Sequence, residues 1–565
     1  MKIKKVIIQN FRGIKNLDWV LNPDDSLICL LGHGDSAKSS ILKAIEYTLT
    51  PKWNLPVEDS DFYECDPTNE INIEITIGNL PSQLLDELVA NYRYFKNGEF
   101  RNLENKQDGD ELVVTAVLHI NGDLDPFWGI ADSEGNIDED DRLPVSVRKL
   151  LNLVRLDKDA KNIFHWKYDS PLLKSISKEK RQEIKSKLVE VGRNAREGFD
   201  KDSLPQEIKD QASEIESIAR SLAVGHDNFS PNVDIFSAEA ICLHRGIIPL
   251  YMLGDGSKKI ASLAIGKYLI NKSKEDDHDG GFIVFDEIEN SLEPHRLRYI
   301  ISSFLKDSKD SKFQTFLTTH SPITIEELGT KEGLYIVRNN PNGEIKVHRI
   351  SEECLSTVRK HSESLFAKKI VICEGKTEFG LLKAFGRYWA KSENRKNPPE
   401  QLGVVLFNGN GSEMHKYMKR FIDMNYDLCV YKDNDLADPK ISAKADELGI
   451  QIFQYPQGFR TEKIVFTESP KDLQDTLVDL YNSNKTESET HIEKEDTYDS
   501  FTVDAIEQKF HDSNRKTPSG TVEGMFRTID FAEELGETIL GHWSSFPESS
   551  GFRKTITDIE NWIYD

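Results

Sequence analysis

The sequence contains no apolar run long enough to cross a membrane, which takes about 18 consecutive apolar residues. Its first stretch, Met1–Leu17, alternates polar and apolar side chains and lacks the apolar centre of a signal peptide. We therefore expect a first strand there rather than a targeting segment. These absences argue against a membrane protein and predict a cytoplasmic one.

Cysteine is scarce and dispersed. There are six cysteines, and none is spaced for a paired metal site: Cys29, Cys65, Cys242, Cys354, Cys373 and Cys429. This usage fits a reducing compartment and argues against structural zinc.

The chain also lacks an excess of positive charge, with 72 Lys and Arg against 96 Asp and Glu, a net charge of -24. Such a charge normally discourages nucleic-acid binding. Binding needs only a local basic surface, however, and metal sites use acidic residues, so the net charge decides nothing here. The length of 565 residues predicts two or three domains.

The most informative stretch is Gly281–His295. Phe282–Phe285 is continuously apolar, as expected of a parallel strand buried on both faces, and it ends in Asp286 and Glu287. Open α/β sheets bind ligands at such strand ends. One carboxylate can hold Mg²⁺ while its neighbour polarises an attacking water. The alternative is that the pair only caps the next helix.

A glycine-rich loop follows an upstream apolar run, Leu27–Leu31, and leads into a helical pattern that Pro51 ends. Strand, loop, Lys-Ser and helix are the context of a phosphate-binding loop, in which Lys38 reaches the phosphates and Ser39 holds Mg²⁺. The other expected nucleotide contacts in the loop are Gly32, Gly34, Asp35, Ala37 and Ser40. Ala37 replaces the usual second glycine, at a position whose conformation is costly for a residue with a Cβ. A degenerate, structural loop is the alternative.

A second anion site is predicted where Gly254, Gly256 and Ser257 open another helix. One active site does not need two such features, so the second is expected to serve a nucleotide held by another subunit. His320 follows a further buried strand, Phe313–Thr319, and is a candidate sensor of a terminal phosphate.

Residues 171–230 read as a charged helical insertion, either a projecting arm or a dimerisation bundle. Its basic residues are candidates for DNA contact or simply a solvated helix face: Lys174, Lys178, Lys180, Arg181, Lys185 and Lys187. Tyr335–Arg338 and Lys346–Ile350 are predicted to close the first domain as edge strands.

Together with Asn10–Gly13, these motifs resemble the ATP-binding-cassette ATPases, in the branch related to SMC and RecF proteins. The resemblance covers about 1–350, with 1–170 and 231–350 as two parts of one head around the insertion. It implies two ATP molecules sandwiched between two heads. It further implies that Lys38 binds phosphates, Ser39 and Asp286 serve Mg²⁺, Glu287 is the hydrolytic base, and His320 contacts the γ-phosphate.

Three apolar strands are predicted in the second half, and each ends in polar residues. Lys369–Cys373 leads into Glu374, Gly403–Phe407 into a glycine-rich turn, and Leu428–Tyr431 into Asp433 and Asp435. Parallel strands bring such ends to one sheet edge, and carboxylates suit Mg²⁺ or Mn²⁺. The alternative is that these are ordinary acids in polar turns.

This arrangement resembles a Toprim domain, here expected as a Rossmann-like α/β domain over 351–565. A cassette head followed by Toprim is similar to the OLD (overcoming lysogenisation defect) family nucleases, which include the Gabija defence nuclease and some retron effectors. The resemblance implies DNA cleavage with two metal ions and two further acids, Glu378 and Glu462. It also implies a basic residue near the C-terminus, with Lys554 or Arg553 as candidates.

We therefore expect an ATP-governed, metal-dependent DNA endonuclease acting against phage, as a homodimer or higher homo-oligomer joined through its heads. A genetically linked partner, such as a helicase or a reverse transcriptase with its RNA, is also expected. The alternative is a RecF-like repair ATPase whose Toprim domain binds DNA without cutting it. Topoisomerase or primase activity is disfavoured, because no strand-passage module or template-binding zinc element is evident.

Overall fold

The structure is a computed structural model of the 565-residue chain. It describes residues 1–52, 54–137, 141–156, 161–167, 170–177, 180–184, 203–223, 225, 229–233, 241–274, 280–308, 311–329, 333–340, 342–392, 395–434, 439–483, 493–494 and 528–565. Asp435, Lys178, Lys185 and Lys187 lie outside these ranges. The chain divides into two units, Met1–Ser362, called the head, and Glu363–Asp565, called the Toprim unit.

The first sheet of the head is antiparallel and has seven strands, in the order β2-β1-β4-β7-β5-β6 with β8 beside β7. Its alternating sequences bury one face against the rest of the head. The strands are β1 (Lys2–Phe11), β2 (Ile14–Val20), β4 (Ile71–Gly78), β5 (Arg93–Lys96), β6 (Glu99–Arg101), β7 (Glu111–Ile120) and β8 (Pro126–Ile130).

The second sheet of the head has six strands in the order β17-β16-β3-β15-β14-β9 and is parallel except for β17. Its three central strands are fully buried, and two of them have the continuous apolar runs that predict this. The strands are β3 (Leu27–Leu31), β9 (Leu153–Arg155), β14 (Gly281–Phe285), β15 (Phe313–Thr318), β16 (Gly333–Asn339) and β17 (Ile345–Arg349). The prediction of two edge strands is wrong for β16, which pairs with β3 as well as with β17.

A small third sheet consists of β10 (His165–Trp166), β11 (Phe229–Val233), β12 (Ile241–Arg245) and β13 (Ile248–Pro249). The α-helices of the head are α1 (Lys38–Leu49), α2 (Ser82–Glu87), α3 (Val145–Leu150), α4 (Pro171–Lys174), α5 (Gln206–Leu222), α6 (Asp255–Lys272), α7 (Pro294–Ser308), α8 (Pro322–Leu328) and α9 (Leu355–Lys360). The longest of them, α6, is buried along most of its length because its apolar residues are not confined to one face.

The described part of the predicted insertion at 171–230 does not project. Helix α5 packs against α6 and β11 and buries an apolar face that includes Ile208, Ile215 and Leu222. The described basic residues make local contacts: the Arg181 guanidinium donates to two main-chain carbonyls at 2.6 Å, and Lys180 pairs with Glu207 at 3.1 Å. This favours a structural role for these residues over DNA contact.

The Toprim unit contains one parallel four-stranded sheet in the order β19-β18-β20-β21. Its strands are β18 (Lys369–Cys373), β19 (Val404–Asn408), β20 (Asp427–Lys432) and β21 (Gln451–Gln454). The α-helices around it are α10 (Lys376–Trp389), α11 (Met414–Asp423), α12 (Pro439–Leu448), α13 (Thr461–Glu468), α14 (Lys471–Ser483), α15 (Ile529–Leu540) and α16 (Gly551–Tyr564).

The last two helices pack in different places. Helix α15 lies along α10, where Gly380 and Gly536 allow close approach, because a Cβ on Gly380 would lie 2.5 Å from the carbonyl of Ile529. Helix α16 packs against β21 and α13. Helix α16 therefore covers the edge strand of the Toprim sheet. Among the described residues, no helix combines the length and the apolar character needed to span a bilayer.

Candidate nucleotide and metal sites

The glycine-rich loop connects β3 to α1 and contains strained backbone. Gly32 has φ +148°, and a Cβ there would lie 2.6 Å from the carbonyl oxygen of Val337. Ala37 has φ 69° and ψ 14°, the left-handed conformation that glycine adopts without cost. For a residue with a Cβ, this conformation costs about 1–2 kcal/mol. The loop has therefore kept the conformation expected of the second glycine while an alanine occupies it.

Lys38 begins α1 and directs its ammonium group back into the loop. Its Nζ donates to the carbonyls of Gly32 (3.1 Å) and His33 (2.8 Å) and to Ser36 Oγ (3.1 Å). Burial lowers the pKa of Lys38 to about 8, although Asp286, Glu287 and other nearby carboxylates act to raise it. The cation thus lies among the loop atoms that are expected to surround phosphates.

The loop and the end of β14 meet through Asp286, 247 residues further along the chain. Ser39 Oγ donates to Asp286 Oδ1 at 2.9 Å, and Thr318 Oγ1 donates to the same oxygen at 2.6 Å. Arg155 lies 3.4 Å from Asp286 Oδ2 and also pairs with Glu46 at 2.7 Å. The hydroxyl and carboxylate predicted to share one Mg²⁺ are therefore neighbours.

Glu287 follows in a left-handed conformation, with φ 45°. Its N–H donates to Thr318 Oγ1 at 2.8 Å, and its carboxylate accepts a hydrogen bond from the Asn290 amide. The next helix, α7, begins only at Pro294. The alternative that Asp286 and Glu287 cap this helix is therefore wrong.

His320 follows β15 and is held through its main chain. Its N–H donates to Glu289 Oε1, and Thr319 Oγ1 donates to Glu289 Oε2 at 2.7 Å. Desolvation lowers the pKa of His320, and the positive charge of Lys38 lowers it further. His320 lies two residues after Thr318, whose hydroxyl donates to Asp286, and so at the end of the strand that pairs with β14.

The second predicted anion site opens α6, with Gly254 as the N-cap in extended conformation. The N-cap residue makes no side-chain hydrogen bond to this helix start, and Gly254, Gly256 and Ser257 lie at its cap and in its first turn. A Cβ on Gly256 would lie 3.2 Å from the carbonyl of Ser291, so the segment after Glu287 approaches this turn closely.

In the Toprim unit, Glu374 follows β18 and Asp433 follows its parallel neighbour β20. The N–H of Asp433 donates to Glu374 Oε2 at 3.0 Å. Glu378 lies in the first turn of α10 and accepts from the N–H of Gly375 at 2.9 Å. The parallel register brings these acids to one sheet edge, as the strand ends predict.

Thr461 connects the acids. Its Oγ1 donates toward Glu378 Oε1 (2.8 Å) and Asp433 Oδ1 (3.0 Å), and its N–H also donates to Asp433 Oδ1 (2.9 Å). The adjacent Glu462 is buried, as is Glu378, whereas Glu374 and Asp433 are partly exposed. Four carboxylates therefore share one cleft, with the two partly exposed acids at its solvent side.

The clustering changes how readily these acids ionise. Desolvation of its carboxyl group raises the pKa of Asp433 well above its usual range although the residue is partly exposed, and Glu378, Glu462 and Glu374 raise it further. Burial also raises the pKa of Glu378. Among the described residues, no group of three or more acids, histidines or cysteines is arranged so that it could hold a metal ion, and Glu378 and Asp433 accept protein hydrogen bonds instead. Closely spaced carboxylates that repel one another when they ionise suit a divalent cation, because its charge offsets theirs and it prefers oxygen ligands.

Comparison with protein families matches both units. Residues 27–326, more than half of the chain, match the family described as AAA domain, putative AbiEii toxin, Type IV TA system. Residues 365–435 match the overcoming lysogenization defect protein-like TOPRIM domain. The chain belongs to the OLD family. Its ATPase and Toprim domains imply the use of a nucleotide and a divalent metal ion.

Two curated relatives are similar along most of their length. Endonuclease GajA of Bacillus cereus (strain VD045) is 25% identical over 473 residues, which are 78% of this chain and 76% of the relative. The Old nuclease of Escherichia phage P2 is 22% identical over 447 residues, 73% of this chain and 74% of the relative. Among solved structures, an Smc head domain from Pyrococcus furiosus aligns with 64% of this chain and 99% of its own, at 14% identity and a TM-score of 0.40.

The basic candidates near the C-terminus lie on α16 of this OLD-family chain. The Arg553 guanidinium donates to the carbonyl of Phe546 at 2.6 Å and lies 5.8 Å from the centre of the Trp543 ring. Lys554 is exposed. Arg553 therefore has a packing role, and Lys554 remains the better candidate.

Sequence reasoning missed three residues that hold the predicted site residues in place: Thr461, Thr318 and Glu289. Each acts through hydrogen bonds to residues between 28 and 83 positions away. Thr461 precedes Glu462, and Glu289 lies two residues after Glu287, so their positions in the chain were the only available signal.

Proposed function

We propose that this chain is an ATP-regulated, divalent-metal-dependent DNA endonuclease that acts in defence against phage, in the cytoplasm where both ATP and phage DNA occur. The observation that carries the proposal is the carboxylate cleft at the carboxyl edge of the Toprim sheet. Glu374, Glu378 and Asp433, with Glu462 and Asp435, are the proposed ligands of Mg²⁺ or Mn²⁺. Bound metal would activate a water and stabilise the leaving oxygen of a phosphodiester.

In this proposal the residues of the cleft have separate tasks. Glu374 and Asp433, at the solvent side, lie where a DNA phosphate can approach. Glu378 and Glu462 are buried and would add negative charge on the inner side of the metal ions. Thr461 holds Glu378 and Asp433 in place through its hydrogen bonds. Lys554 is proposed to contribute a positive charge toward the cleaved phosphate.

The head is proposed to bind and hydrolyse ATP. Lys38 and the loop amide groups would hold the phosphates, while Ser39 and Asp286 would hold Mg²⁺. Glu287 is the proposed hydrolytic base and His320 the γ-phosphate contact. The amide groups at Gly254–Ser257 would complete the site of a second copy, which makes the active form a homodimer or a larger homo-oligomer.

The RecF-like alternative, a repair ATPase whose Toprim unit only binds DNA, is less well supported. A binding surface has no need of buried acids, because burying like charges raises their pKa values and costs folding free energy. A nuclease needs such acids for its metal ions. A helicase, or a reverse transcriptase with its RNA as in retrons, is the proposed class of linked partner, and the neighbouring genes would identify it.

We expect the rate of DNA cleavage by wild-type protein to change between zero and saturating ATP. Two arrangements of the chain that differ in ATP affinity by a few kcal/mol are enough to shift their populations. Glu287→Gln should remain at the rate of the ATP-bound state because it binds without turnover, and Lys38→Ala should not respond to ATP. Plasmid cleavage across an ATP series tests this. Equal rates in all three proteins at every ATP concentration would show that the two units are only tethered.

The raised pKa values of Glu378 and Asp433 predict a pH-dependent response to metal. Carboxyls whose pKa is raised in the fold destabilise it as they ionise, so metal-free stability should fall as the pH rises through those values. Protons should also displace metal as the pH falls. We expect Mn²⁺ at about 100 times its high-pH Kd to stabilise the protein by about 2–3 kcal/mol at high pH, and the same Mn²⁺ concentration to stabilise it by much less at low pH. Thermal unfolding with and without Mn²⁺ measures both effects, and a metal-induced shift that is independent of pH would contradict them.

A further inference from the structure

Lys259 is a buried lysine near the start of α6, with only 2% of its surface exposed. Its Nζ donates to the main-chain carbonyls of Glu287 (2.9 Å) and Asp286 (3.2 Å). Burying an ammonium group is costly unless hydrogen bonds satisfy it. Two carbonyl groups at the end of β14, next to the proposed hydrolytic carboxylate, therefore help to stabilise this buried charge.

These hydrogen bonds act on a strained residue. Glu287 has φ 45°, a conformation that persists only when the surroundings enforce it, at a cost of about 1–3 kcal/mol. Its N–H donates to Thr318 Oγ1, and its C=O accepts from Lys259. The residue is thus held on both sides, by a strand of its own sheet and by helix α6.

Helix α6 is also the helix whose N-terminal turn, Gly254–Ser257, forms the second anion site. Lys259 lies two residues after that turn and on the same rigid element. A shift of the turn therefore moves Lys259, and Lys259 is bonded to the backbone of Glu287. Lys259 therefore links the two half-sites of one head, beside the close approach of Ser291 to Gly256.

We propose that Lys259 is a positioning residue that sets the backbone of Glu287 and couples it to the occupancy of the Gly254–Ser257 turn. The proposal rests on the proposed ATPase function and adds a control to it. When a nucleotide bound to a second copy contacts the turn, the hydrogen bonds of Lys259 are fixed. These hydrogen bonds in turn fix the position of the Glu287 carboxylate. Hydrolysis in one site then responds to contact made at the other.

The test is steady-state ATP hydrolysis and ATP binding by the full-length Lys259→Met protein. Methionine keeps the length of the apolar stem and removes the donor. We expect kcat to fall by about tenfold or more while KM and ATP affinity change by less than about threefold, because the loop that binds ATP is untouched. Lys259→Gln, which is less apolar, is measured in parallel in case the methionine variant does not fold.

The matched control is Lys267→Met. Lys267 lies on the same helix, but it bonds to Ser303 and pairs with Asp307 at 3.2 Å, on α7. The Lys267→Met change should leave kcat within about twofold of the wild-type value. A general destabilisation of α6 would lower kcat equally in both variants, and this result would overturn the proposal.

A double mutant separates this proposal from the ATPase assignment. Adding Lys259→Met to Glu287→Gln should cause no further loss of hydrolysis, because the lysine acts through Glu287. A multiplicative further loss, or unchanged kcat in Lys259→Met, would show that Lys259 does not position Glu287. If Glu287→Gln alone hydrolyses ATP normally, the assignment of the base fails instead, and the proposal fails with it.

Discussion

Replacement of Asp433 by asparagine is expected to lower metal-dependent DNA cleavage by at least about a thousandfold, equivalent to about 4 kcal/mol of lost transition-state stabilisation. Asp433 lies between Glu374 and Thr461 and is one of the two partly exposed acids of the cleft. Asparagine removes its negative charge but keeps an oxygen that can accept from Thr461. The fold should therefore survive, and metal-free stability should rise because one crowded charge is gone.

Asp427→Asn is the matched control. Asp427 lies on the same strand, β20, but at its opposite, exposed end. Cleavage of supercoiled plasmid should be unchanged in this variant. Wild-type cleavage rates in folded Asp433→Asn would show that the carboxylate cleft is not where DNA is cut.

Replacement of Lys38 by alanine is expected to weaken ATP binding by at least about a hundredfold, or about 3 kcal/mol. The Lys38 ammonium group points into the loop and donates to the carbonyls of Gly32 and His33. A phosphate that enters the loop would gain a charge-assisted hydrogen bond from it. Titration calorimetry with ATP and Mg²⁺ measures the loss.

Lys43→Ala provides the control for the lysine change. Lys43 lies on the same helix, pairs with Glu46 at 3.1 Å and lies 4.7 Å from the centre of the Tyr47 ring. It should bind ATP as the wild type does. Full ATP affinity in Lys38→Ala would mean that the loop is structural, the alternative that Ala37 raises.

The parts predictable from sequence depend on local patterns. Phe282–Phe285 is continuously apolar and therefore had to be a strand buried on both faces. The glycine-rich loop between a strand and a helix carries its geometry in its own residues, including the left-handed position now held by Ala37. Parallel strands then bring Glu374 and Asp433 together without further information.

The parts that could not be predicted depend on contacts between distant segments. Nothing local distinguishes Lys259 from the adjacent Lys258, yet the former is buried against β14 and the latter pairs with Asp255 at 2.9 Å. In the sequence, Thr461 resembles an ordinary helix start. Only the structure shows that its hydroxyl donates a hydrogen bond to Glu378, 83 residues away. The inner position of β16 likewise follows from pairing with β3, far upstream.

The central claim is that the carboxylate cleft cuts DNA with a bound metal ion. Its most direct test is cleavage of supercoiled plasmid by full-length protein with Mg²⁺, with Mn²⁺ and with excess EDTA, beside Asp433→Asn under the same conditions. The proposed function predicts nicked or linear product with metal in the wild type, and none with EDTA or in the variant. Cleavage that persists in EDTA, or in the folded variant, would contradict it.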